Sequence, residues 1–309
     1  MCPNCSLTAS CSVTDRSRPW LAAAGVLAVL AAAAGSCLGW AATRVYGSLR
    51  WLPPLEAPEH VARAVGARFR DAGIAAADGA PLRAWVLERP NARGAAIVLH
   101  GAGSSRYHLL GHGAMLARNG YSVILPDNRG HGASGGDWFS YGVRERDDVS
   151  RWLDWALSNL GAVPLFGLGE SMGASILLQS LGYERRFSAI VAESPFSSFA
   201  AIASERVPVW PVVQFGFLTV RWRLGVDLAS ADAIEPVRAT STPVLLIHSA
   251  ADRNVSLRHS RLLRDANPAK VRLWEPEAVE HTQAMAVLPE EFERRVTGWF
   301  TAANAGAVR

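Results

Sequence analysis

The sequence predicts an α/β domain, a mostly parallel sheet with helices on both faces. Three observations carry that expectation. Short, near-continuous apolar runs such as Ala95–Leu99 and Pro243–His248 read as strands buried on both faces. Segments with helical periodicity lie between them, so strands and helices alternate. The 309-residue chain is 50% apolar and 19% charged, which excludes a disordered chain and leaves room for one large domain or two small ones.

The elements begin with an apolar N-terminus. Pro19 to Thr43 is 25 residues without a charge, ten of them Ala. As a helix it would run roughly 37 Å, enough to cross a ~30 Å hydrocarbon core. Trp20 and Trp40 sit near its ends, as interfacial anchors do. An uncleaved single-pass membrane anchor fits this pattern. A cleaved signal peptide with Trp20–Ala34 as its apolar core also fits, giving a secreted protein. So does a lipoprotein signal ending Ala34-Gly35-Ser36-Cys37 and acylated on Cys37, although Ala34 stands where a larger aliphatic is usual. Arg16 and Arg18 before the segment balance Arg44 and Arg50 after it, so charge leaves the orientation open. Each reading puts the domain at or across a membrane.

The chain divides into a tail at 1–18, an anchor or signal at 19–43, a linker at 44–64, a domain at 65–302 and a tail at 303–309. The linker is marked by Trp51-Leu52-Pro53-Pro54-Leu55 and Pro58. Within the domain, strands are expected at Leu82–Leu87, Ala95–Leu99, Tyr121–Leu125, Val163–Leu168, Ala189–Ala192, Pro243–His248 and Val271–Trp274. Val143–Leu160 is an amphipathic helix with Val149, Trp152, Leu153, Ala156 and Leu160 on one face, and Gly161 ends it. Further helices are expected up to about Asn119-Gly120, from Met172, over Leu257–Ala266, and from Pro289. The last has Glu290, Glu291 and Glu293 in its first turn and a buried stripe of Phe292, Val296, Trp299 and Phe300.

The charge pattern narrows the function classes. Thirty Arg and one Lys give a net charge of +4, but they are scattered among Asp and Glu, so no nucleic-acid partner is expected. Cys2, Cys5, Cys11 and Cys37 all precede the domain, which therefore holds no disulfide or thiolate metal site. Cys2 and Cys5 have CxxC spacing without a second ligand pair. His108 and His112, four apart on an expected helix, have no evident third ligand. No metal site is expected from these residues.

The chemistry is expected at the strand ends. Gly169-Glu170-Ser171-Met172-Gly173 lies between an apolar strand and a helix, the setting of a G-x-S-x-G nucleophile elbow. Neutral serine needs a base, and the base needs an orienting carboxylate. His281, after the last strand, is the expected base. Asp252, just past the strand ending at His248, is the expected acid, with Glu193 as the alternative. The chain order Ser171, Asp252, His281 is the hydrolase order. An oxyanion would be held by the backbone N–H of Met172 and by one from His100-Gly101-Ala102-Gly103, with Ala102 chosen ahead of Gly103. His100 reads as a brace for that loop, and Asp127-Asn128-Arg129-Gly130-His131-Gly132 as a structural loop shaping the pocket.

These motifs together resemble the α/β-hydrolase superfamily over about residues 65–302. Tyr141-Gly142, Glu145, Asp148-Val149 and Glu193-Ser194-Pro195-Phe196 resemble its membrane-anchored, monoglyceride-lipase-like and acyl-peptidase-like serine hydrolases. The resemblance implies a mostly parallel eight-stranded sheet and acylation of Ser171 by an ester, thioester or amide, followed by hydrolysis without metal or organic cofactor. A serine carboxyl-ester hydrolase is the expected activity, with a peptidase or thioesterase as the nearest variant. It also places a short lid at about 196–237. The apolar runs Val207–Val213 and Phe215–Leu218 there read either as helices packed on the core or as a roof over an acyl pocket. The roof reading leads to a small-molecule or lipid-like acyl substrate. A non-catalytic, membrane-bound interaction protein of the same fold is the alternative from another class.

Overall fold

A computed structural model describes residues 18–44 and 57–306. Cys2, Cys5, Cys11, Arg16, Arg50 and the Trp51–Leu55 linker motif lie outside the described residues.

The first helix, α1 (Arg18–Thr43), is continuous through the apolar segment and is long and apolar enough to cross a membrane. Its C-terminal end is tied to the domain. Phe139 N–H donates to the Thr43 carbonyl (3.1 Å), the Tyr141 hydroxyl donates to the Ala42 carbonyl (2.7 Å), and Arg44 bridges to Trp138. Inside the stretch read as linker, α2 (Pro58–Ala64) is a short helix with Pro at its first position.

Eight strands follow, β1 (Arg68–Ala75), β2 (Pro81–Glu88), β3 (Ala95–Leu99), β4 (Ser122–Pro126), β5 (Leu165–Glu170), β6 (Phe187–Glu193), β7 (Val244–Ile247) and β8 (Val271–Trp274). They form one sheet in the order β1-β2-β4-β3-β5-β6-β7-β8. The β1–β2 and β2–β4 pairs are antiparallel and the others parallel. All seven strands located in the sequence are present; β1 is the eighth. It carries Arg68, Arg70, Asp71 and Gly73 and buries only Ala72, so as a half-exposed edge strand it lacks the apolar run that marks the others.

Helices α3 (Leu110–Arg118), α4 (Glu145–Leu160), α5 (Met172–Ser180), α6 (Phe199–Arg206), α7 (Trp210–Leu224), α8 (Ile234–Ala239), α9 (Leu257–Ala266), α10 (Ala284–Val287) and α11 (Pro289–Asn304) complete the chain. Two cores result, one on each face of the sheet. Val149, Trp152, Leu153 and Ala156 of α4 pack into one with α5, as their spacing requires. Phe292, Val296 and Phe300 of α11 fill the other, with Phe300 stacked on Phe166 at 4.4 Å. The parallel strands all end at one sheet edge, so the loops after β3, β5, β6, β7 and β8 converge there.

Candidate active site

Ser171 makes the turn between β5 and α5 alone, with φ 51° and ψ −115°. Residues with a side chain rarely adopt that conformation, and the surroundings hold it in place. The Ser171 N–H donates to the Glu193 carbonyl (2.8 Å), and the Ser175 N–H donates back to the Ser171 carbonyl (3.0 Å). A Cβ at Gly173 would lie 2.3 Å from the Leu99 carbonyl oxygen, so only glycine lets the turn press this close to β3.

The structure brings the three expected residues together. The Ser171 hydroxyl lies 2.9 Å from His281 Nε2, and His281 Nδ1 lies 2.7 Å from Asp252 Oδ2. An imidazole protonated on Nδ1 donates to Asp252 and accepts from Ser171, satisfying both contacts. Asp252 Oδ1 also accepts from the N–H groups of Asn254 (2.8 Å) and Val255 (2.9 Å). Burial alone would raise this carboxyl, but hydrogen bonds from His248, His281 and Val255 outweigh it and hold it well below the usual carboxylate range. His248, 3.3 Å from Asp252, was not singled out in the sequence for any such role, and it lies one residue beyond β7 rather than inside the strand.

Glu193, the alternative acid, is not bonded to the imidazole. Its Oε1 accepts from the Ala284 N–H (2.9 Å), three residues beyond His281, while its backbone carbonyl holds Ser171. It therefore ties the serine turn to the histidine loop. Burial pushes its carboxyl up to about 7, against the Ala284 hydrogen bond and with the charge of Asp252.

Met172 and Ala102 line the same cavity as Ser171. The Met172 N–H belongs to the first turn of α5, where amides have no intrahelical acceptor. The Gly103 N–H is engaged by His131 Nε2 (3.2 Å), which leaves Ala102 as the better placed of the two candidates. His100 is a brace, as read: its Nε2 accepts from the Asn128 N–H (3.0 Å), and Asn128 Nδ2 donates to its carbonyl. Burial, with His131 close by, lowers its pKa to about 3, so it stays neutral. Asp127 accepts from the N–H groups of Arg106 and Ala133 (2.8 Å each), closing the loop that was read as structural.

One expectation needs correcting. His108 precedes α3 rather than sharing its face with His112, and His112 does have further partners. Its Nε2 lies 3.1 Å from Glu170 Oε1, and with Glu193 the three offer donor atoms within 4.8 Å of one another, a set that could hold a cation. The sequence could not show this, because the partners come from the ends of β5 and β6. Burial lowers the His112 imidazole to about 4, so the ring stays neutral, and burial with the charge of Glu193 raises the Glu170 carboxyl well above its ordinary value.

The cavity beside Ser171 is about 260 Å³ and apolar, walled by Tyr141, Phe196, Phe199 and Ile202 with residues of α7 and α1. A family model described as serine aminopeptidase, S33, matches residues 90–212. The fold superposes on the Pyrococcus furiosus esterase Pf2001 with a TM-score of 0.64, over 84% of this chain and 97% of that one, at 24% identity. The chain has the α/β-hydrolase fold. The chain is 27% identical over 197 residues to the uncharacterized protein YqkD of Bacillus subtilis, covering 61% of this chain and 65% of that one. Human ABHD12B is 29% identical over 182 residues, covering 54% of this chain and 48% of that one. The matches thus span less than two thirds of either relative.

Proposed function

We propose that this hydrolase cleaves carboxylic esters with an apolar acyl group, through an acyl-enzyme on Ser171. The observation that carries the reading is the unbroken hydrogen-bonded series Ser171–His281–Asp252 opening on an apolar cavity. His281 Nε2 takes the hydroxyl proton as Ser171 Oγ attacks the ester carbonyl, and Asp252 steadies the imidazolium. The N–H groups of Met172 and Ala102 receive the oxyanion, each contributing roughly 10²–10³ in rate. The imidazolium then protonates the departing alkoxide, and water, deprotonated by His281, releases the acid. The cycle needs neither metal nor organic cofactor. Trp20–Thr43 serves as an uncleaved single-pass anchor in this reading.

The family match suggests a serine aminopeptidase as the second reading. An aminopeptidase must hold its substrate's ammonium, which calls for a carboxylate. Among the described residues lining the cavity, the one charged side chain is Arg206, of the wrong sign. Labelling by a fluorophosphonate probe, lost in Ser171→Ala, is the expected outcome. Turnover of p-nitrophenyl C4–C12 esters should exceed that of aminoacyl anilides; the reverse order would favour the peptidase. No label on folded wild type would favour the interaction protein.

A further inference from the structure

The apolar N-terminal helix is part of the cavity. Leu38, Gly39 and Ala42 of α1 line it together with Ser171 and Met172. They are held there by α7. A Cβ at Gly39 would lie 2.5 Å from the Gly216 carbonyl oxygen, so the two backbones touch. Ser36 Oγ and Thr219 Oγ1 hydrogen-bond at 2.8 Å, and the Arg223 guanidinium lies 4.0 Å over the Trp40 ring. Gly35 meets Val212, Gly39 meets Gly216 and Trp40 meets Arg223, so the helices run in the same direction.

Helix length then constrains where a bilayer can lie. The part of α1 free of the domain, Trp20 to about Leu30, would rise only about 16 Å, short of a ~30 Å hydrocarbon core. From Trp20 to Trp40 the rise is about 30 Å, with an interfacial aromatic at each end. Spanning therefore requires hydrocarbon around the part of α1 that packs on α7, and so around α7 itself. The outward face of α7 suits that solvent. Trp210, Leu218 and Trp222 recur at helical spacing and are 71%, 58% and 84% exposed. The cations Arg44, Arg221 and Arg223 gather beside Trp40 and the C-terminal end of α7, at headgroup level.

We propose that α7 is sunk in the same leaflet as the C-terminal half of α1, and that this pair admits substrate from the bilayer to Ser171. The substrate class is then an ester lipid resident in the membrane, passing from that leaflet with its acyl chain into the cavity that α1 and α7 help to wall. The substrate assignment rests on Ser171 being the acylated nucleophile; the leaflet placement does not.

Two measurements on the full chain in phosphatidylcholine vesicles test it. In a background with the four native Cys replaced by Ser, bimane is attached at Leu218→Cys or at Tyr183→Cys, an exposed site beyond the far end of α5. Doxyl-labelled lipid is expected to quench the first at least threefold more than the second, and aqueous iodide the reverse. Equal lipid quenching overturns the leaflet placement. In the second measurement, Leu218→Asp is expected to slow hydrolysis of vesicle-embedded monooleoylglycerol at least tenfold while leaving p-nitrophenyl acetate turnover within twofold. Equal loss on both substrates, or loss on neither, overturns lateral entry. A wild type inert toward both esters and toward fluorophosphonate overturns the esterase reading and the substrate class, while quenching still decides where α7 lies.

Discussion

Asp252 is kept ionised by its neighbours, and its charge is what orients His281. Asp252→Asn would keep the shape but favour the wrong imidazole tautomer, so kcat on a p-nitrophenyl ester is expected to fall on the order of 10⁴-fold with KM little changed. Asp252 and Glu193 also act oppositely on stability. The depressed Asp252 contributes stability present above its unfolded pKa of about 3.9 and lost as pH falls through the lower folded value. Glu193 keeps, up to about pH 7, a proton that the unfolded chain releases near its ordinary value, so its effect is a loss of stability as pH rises across that window. Glu193→Gln cannot release a proton. Urea denaturation at about pH 5 and about pH 7.5 should show a smaller decline in this variant than in wild type; identical declines would contradict the assignment. Ser171, Asp252 and His281 were legible in the sequence because each follows a strand that announces its own end. His248 and the Glu170–Glu193–His112 cluster were not, since their meeting depends on how neighbouring strands align.

At the scale of elements, the serine turn depends on how closely α5 approaches β3. Gly173→Ala would place a methyl group 2.3 Å from the Leu99 carbonyl, and backbone cannot swing aside as a side chain can. Overpacking of this kind costs about 1–3 kcal/mol, or roughly 2–12 °C in Tm for a domain of this size, and should be visible by calorimetry. Activity should fall further than stability, because the same methyl group would shift Ser171 against His281. The parallel strands were readable because burial on both faces leaves an apolar run, and the amphipathic helices α4, α9 and α11 because of their spacing. The edge strand β1 was not, because its charges and its glycine mimic a loop. The pairing of α1 with α7 was also hidden: Gly35 and Gly39 read as small residues of an apolar helix until Gly216 lies against them.

For the whole molecule, an uncleaved α1 predicts that all of the protein sediments with membranes and resists a carbonate wash near pH 11; recovery in the supernatant would contradict the anchor. The ties at the end of α1 carry a further consequence. Tyr141, Phe139 and Trp138 grip Ala42, Thr43 and Arg44 directly, so the domain is mounted on its helix rather than hung from a flexible stalk. If α1 spans a bilayer as proposed, a molecule mounted in this way searches in two dimensions. Its velocity is then governed by the mole fraction of substrate in the surface, and diluting that substrate with inert lipid at constant total amount would slow it, as adding water would not.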